Sequence, residues 1–141
     1  ADAGSGALEQ MVLAEFCDKH FDAHVAKLNT VLERKAQTLV DALKEQFGTA
    51  AEFEIPKGGI YLWIKLPDKV DTLKLNQAAL KAGIAFNPGP EWSIDKEWGK
   101  SRLRICFANP SEDTLRKGVA ALAQVCHTEM GVPARIANVA R

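Results

Sequence analysis

Arg104 is the side chain best placed for fixed chemistry. It stands in an alternating stretch, Arg102 to Ala108, in which Leu103, Ile105 and Phe107 share one face and Arg102, Arg104 and Cys106 the other. A planar guanidinium held on a strand can grip a carboxylate through two parallel hydrogen bonds. An arginine on a polar strand face is ordinarily solvated or ion-paired, and spacing alone favours that plainer role. A second alternating run, Ile60 to Leu66, sends Ile60, Leu62, Ile64 and Leu66 to one side and Tyr61, Trp63 and Lys65 to the other. Tyr61 and Trp63 strengthen the case for Arg104, because aromatic walls around one fixed polar anchor are common in small-molecule sites. Cys106, beside Arg104, is a candidate for a lowered thiol pKa, with an inert buried thiol the preferred reading.

Other constellations carry less. His20 and His24 are spaced for one helical face, yet no third ligand or H-E-x-x-H glutamate accompanies them, so a polar pair is favoured over a metal. His127 reads as a favourable charge near a helix C-terminus. Gly58-Gly59 and Pro88-Gly89-Pro90 lack the spacing of phosphate cradles and read as turns. No G-x-S-x-G elbow or oriented Cys/His pair supports nucleophilic catalysis.

The elements that must position these residues follow from periodicity. Ser5 is a plausible cap for a helix carrying Leu8, Met11, Val12 and Phe16, expected to end between Cys17 and Phe21. A second helix is expected from an Asp22 cap through Val25, Leu28, Leu39 and Leu43 to Gly48. Phe53 and Ile55 alternate with Glu52 and Glu54, so the chain should form a hairpin through Pro56-Lys57-Gly58-Gly59 into Ile60–Leu66. A helix capped at Asp71 or Thr72 and closed by Gly83 comes next, then a short strand Ile84–Phe86, a loop over 91–100 and the Arg102–Ala108 strand. The last helix begins at a Ser111 cap, with Glu112 and Asp113 where the helix dipole favours negative charge, and fades at Met130-Gly131-Val132-Pro133. The expected fold class is α+β: a small, mainly antiparallel sheet of three to four strands with helices packed on one face.

The 141 residues fit one domain; 47% are apolar and 26% charged, as in an ordinary globular chain. Eighteen basic residues against eighteen acidic ones give no field that draws the chain to nucleic acid or an anionic membrane. Cys17, Cys106 and Cys126 are odd in number and lack C-x-x-C spacing, which suggests reduced thiols and a cytoplasmic setting. No membrane-spanning run or secretory signal is legible. The chain opens at Ala1-Asp2-Ala3-Gly4 without Met, so it is expected to be a trimmed, cut or internal piece, with a free-standing domain as the weaker alternative.

Three motifs taken together carry a resemblance. Pro56-Lys57-Gly58-Gly59-Ile60-Tyr61-Leu62-Trp63-Ile64-Lys65-Leu66-Pro67, then Ala85-Phe86-Asn87-Pro88-Gly89, then Leu103-Arg104-Ile105-Cys106-Phe107-Ala108 resemble the C-terminal small domain of fold-type I, class I/II aminotransferases that use pyridoxal phosphate. The nearest likeness is to the branch of aminoadipate-type enzymes and aminotransferase-like transcription regulators. The segment Ala7 to Phe47 resembles the passage from large to small domain, so the likeness covers nearly the whole chain.

The resemblance implies residues 1–21 leaving a missing large domain, 22–131 as the small domain and 132–141 as a tail. It implies that Arg104 binds a substrate α-carboxylate, with Gly59 and Tyr61 near the substrate cleft. The parent would exchange an amino group between an amino acid and a 2-oxo acid and would be a homodimer. The cofactor-bearing lysine, the ring-nitrogen aspartate and the phosphate-binding groups would lie upstream; Lys57, Lys65 and Lys74 match no family motif. Pyridoxal phosphate thus belongs to the parent, and this chain alone is expected to bind no cofactor and to be inactive. The alternative parent is a regulator whose aminotransferase-like half senses an effector, with no direct nucleic-acid contact from this segment.

Overall fold

A computed structural model describes Gly4 and residues 6–134. Ser5, the expected first cap, and residues 135–141 of the expected tail lie outside the described residues. The chain divides into two compact units, 1–31 and 32–141.

Helix α1 spans Ala7–Phe47 without interruption. The break expected between Cys17 and Asp22 does not occur. The apolar stripe lapses there, but no Gly or Pro stands between Ala7 and Phe47, so nothing in the backbone stops the helix. Among the described residues of 1–31 no apolar side chain is buried, and most are exposed, Leu8 at 71% and Met11 at 70%. Local pairs link neighbouring turns: Glu15 with Lys19, and the Phe16 ring with His20 and His24 at 5.5 and 5.4 Å between centroids.

The second unit has one apolar core. Leu39, Val40, Leu43 and Phe47 of α1 meet Leu62 and Ile64 of β1 (Tyr61–Lys65), Leu103 of β3 (Arg102–Cys106) and Phe107. Leu75 and Ala79 of α2 (Thr72–Lys81) and Leu115, Val119, Leu122 and Cys126 of α5 (Glu112–Met130) complete it, and Val132 joins beyond the last helix. With β2 (Asn87–Pro88) the strands form one antiparallel sheet in the order β1-β3-β2. This is the α+β arrangement that the alternating and helical patterns call for.

The caps follow the sequence. Asp71 Oδ1 accepts from the Leu73 and Lys74 amides, and Ser111 Oγ from the Thr114 amide, each satisfying otherwise orphaned donors. Gly131, at φ +64°, closes α5 by donating to the His127 carbonyl.

Three expectations are corrected. The Phe53–Ile55 strand shrinks to one bridge, Glu52 to Lys65, because Phe53 alone of its apolar pair packs on the core while Ile55 is exposed. The Ile84–Phe86 strand moves to Asn87–Pro88, since the Ile84 N–H is spent on the Ala79 carbonyl at the end of α2. Pro88 is tolerated because β2 is an edge strand. The expected loop over 91–100 holds two single-turn helices, α3 (Gly89–Trp92) and α4 (Lys96–Gly99), the second capped by Asp95 Oδ1 accepting from the Trp98 amide at 3.0 Å.

Candidate functional site

The face of the sheet turned away from the core carries the site. Cross-strand register sets Arg104 opposite Trp63 on β1 and Asn87 on β2, and Tyr61 opposite Cys106. The Arg104 guanidinium lies between two rings, its carbon 4.0 Å from the Tyr61 centroid and 3.9 Å from that of Trp92. Each stacking is a cation–π contact, worth about 0.5–1 kcal/mol when exposed and about 2 when desolvated. No described residue accepts a hydrogen bond from this guanidinium, and its Nε is buried without a partner. Leaving a buried donor unmet costs about 1–3 kcal/mol, so the aromatic cage holds a cation whose hydrogen-bonding capacity is uncommitted.

Arg102 has another assignment. Its guanidinium stacks on Trp98 at 4.1 Å, and Nη1 donates to the Trp98 carbonyl at 2.6 Å. Trp98 meets Trp63 edge to face at 5.8 Å. Beside this pair opens a cleft of about 720 Å³ lined by Phe53, Pro56, Tyr61, Trp63, Trp98 and Arg102.

The segment bearing Trp92 and Trp98 is pinned by close backbone packing. A Cβ on Gly89 would stand 2.1 Å from the Gly99 carbonyl oxygen and 2.5 Å from that of Arg102; one on Gly99 would stand 2.5 Å from Ser93 Oγ. Lys96 Nζ donates to the carbonyls of Pro90 at 2.5 Å and Ser93 at 3.0 Å, tying α3 to α4.

Of the sequence candidates, Tyr61 and Arg104 come together. Gly59 does not join them: it sits exposed in the turn before β1 at φ +81°, and its missing side chain would point into open space. Its part is conformational, since that φ favours glycine. Cys106 is half-buried; Cys126 is fully buried, and burial pushes its thiol up to about 11. His20 and His24 share a helical face against Phe16, and among the described residues no group of three or more His, Cys, Asp or Glu is gathered for a metal. Trp92 was not legible as a partner of Arg104. The available signals were local: Gly89-Pro90, a helix-opening pair, and Asp95 placed to cap at Trp98.

The profile for aminotransferases of class I and II matches residues 3–122. The chain belongs to that family. Among curated relatives, this aminotransferase-family chain is 33% identical over 122 residues to an uncharacterized HTH-type transcriptional regulator, YdfD of Bacillus subtilis, covering 86% of this chain and 25% of the regulator. It is 27% identical to the 2-aminoadipate transaminase of Thermus thermophilus, over 88% of this chain and 31% of that enzyme. Among solved structures, the α-aminoadipate aminotransferase LysN of Thermus thermophilus, complexed with N-(5'-phosphopyridoxyl)-L-leucine, superposes with a TM-score of 0.81 at 26% identity. That match covers 90% of this chain and 32% of LysN. The chain therefore spans between a quarter and a third of the length of these relatives.

The family depends on pyridoxal phosphate, but the residues around the cage do not fit that group. Lys65 Nζ lies by Glu52 and Asp68 at 3.8 and 3.5 Å, and Lys96 Nζ is spent on two carbonyls. Neither is an amine free for an imine inside the cage.

Proposed function

We propose that this chain is the C-terminal portion of a pyridoxal-phosphate aminotransferase, contributing Arg104 as the group that binds the substrate α-carboxylate. The observation that carries this reading is the stacked guanidinium of Arg104, with its Nε buried and no acceptor among the described residues. A carboxylate brought to the free Nη edge receives two charge-assisted hydrogen bonds in a geometry fixed before binding. Residues 22–131 form a movable wall of the cleft, with 1–21 leading from a large domain. Closure of that wall excludes water from the acid group and orients the α-carbon toward the reacting groups on the rest of the parent. The reaction is amino transfer between an amino acid and a 2-oxo acid in a homodimeric, cytoplasmic parent, and the chain alone is inactive.

The test is Arg104→Ala and Arg104→Lys in the full-length protein. Loss of a bidentate contact should lower kcat/KM for the amino acid about 10²–10³-fold while cofactor absorbance stays unchanged. Unaltered amino-acid turnover in both variants would overturn the reading.

A second reading is favoured by the likeness to the HTH-type regulator: the same cage then receives the acid group of an effector without turnover. An HTH segment encoded upstream and absence of transamination by the intact protein would select it.

A further inference from the structure

We propose that Trp92 is a positioning residue for Arg104, fixing the plane of the guanidinium so that an incoming carboxylate meets only its Nη edge. This rests on the reading of Arg104 as the carboxylate-binding group and adds a residue that no motif identified.

Four observations converge on it. The guanidinium carbon lies over the Trp92 ring at 3.9 Å as well as over the Tyr61 ring at 4.0 Å, so two aromatic rings contact the one cation. The buried Nε offers a ligand no side-on approach, which leaves the terminal nitrogens. Trp92 is itself held, since α3 is pressed against Gly99 at Gly89 and Lys96 staples the Pro90 and Ser93 carbonyls on either side of it. The indole is nevertheless 52% exposed, far more than a ring kept for core packing, so its role lies on the face turned to Arg104. An arginine side chain free in solution spreads over many rotamers; stacking it between two rings removes that freedom before the ligand arrives.

The experiment has a spectroscopic and a kinetic arm. In the unaltered 141-residue chain, the Arg104 Nε–H resonance should be displaced by the two rings from the positions of the exposed arginines. Trp92→Leu should move it back toward them, and Trp92→Phe should restore the displacement. In the full-length protein, Trp92→Leu should raise the amino-acid KM about tenfold with kcat within about twofold, and Trp92→Phe should stay within about twofold of the parent in both. An undisplaced resonance in the unaltered chain overturns the proposal and requires no variant to fold. If Arg104→Lys weakens substrate use and Trp92→Leu changes neither resonance nor KM, Trp92 has no positioning role and the reading of Arg104 stands. If Arg104→Lys also leaves KM unchanged, the carboxylate reading itself fails.

Discussion

At the residue scale, the outward face of β3 was legible because alternation of period two needs only a buried side to fix it. Leu103 and Phe107 went inward, so Arg102 and Arg104 had to go outward. The two arginines differ only through partners that arrive from elsewhere in the chain: Trp98 engages Arg102, while Trp92 and Tyr61 leave the hydrogen bonds of Arg104 unmet. Cys126 supplies a separate residue-scale prediction. Burial raises its thiol from the ordinary 9.0 to about 11, partly offset by Lys69. The folded state therefore binds this proton more tightly than the unfolded state. The resulting stabilisation is fully present below pH 9, declines as pH rises and is lost above about 11. Chemical denaturation between pH 9 and 11 should show stability falling with pH, and Cys126→Ala should flatten that slope. An identical slope in the variant would refute the assignment. At neutral pH, alkylation should reach half-buried Cys17 and Cys106 well before Cys126.

At the element scale, three glycines should behave in three ways. Gly89→Ala puts a methyl 2.1 Å from a backbone oxygen that belongs to another turn, and Gly99→Ala one 2.5 Å from a serine hydroxyl and 2.8 Å from backbone carbon. Both substitutions should displace the 89–99 segment, lower the melting temperature and release the displaced Arg104 resonance, with Gly89→Ala the more severe. Gly118, inside α5, has nothing within 4 Å of a built Cβ, so Gly118→Ala should stabilise by about 0.5–1 kcal/mol and raise the melting temperature a few degrees. Circular dichroism melts of the three variants check the order. The same segment marks where sequence reading stopped. Helices α3 and α4 are one turn each, too short to display a period, and their position follows from a glycine-to-glycine approach that no alternation announces. The false break in α1 has the opposite origin: periodicity reports which residues are buried, and the helix continues where nothing is.

At the scale of the whole molecule, the two units should differ in how firmly their backbones are held. The fully buried residues of α1 fall between Thr38 and Phe47, with Leu32 and Ala36 packed half-buried against the core, while the helical residues from Ala7 to Val31 have no buried side chain. Most helical stability in proteins comes from packing an apolar face, which this stretch lacks. Hydrogen exchange should therefore be orders of magnitude faster over Ala7–Val31 than over Leu39–Phe47. Equal protection of both stretches at low protein concentration would contradict this. The sheet has a consequence of its own. β1 lies at the margin of the sheet, and among the described residues its outer side forms only the Glu52–Lys65 bridge, near one end. The backbone from Tyr61 to Ile64 is thus a ready template on which a second molecule can add a ribbon. Pro56, Lys57 and Lys65, clustered beside it, are the residue types that oppose such addition.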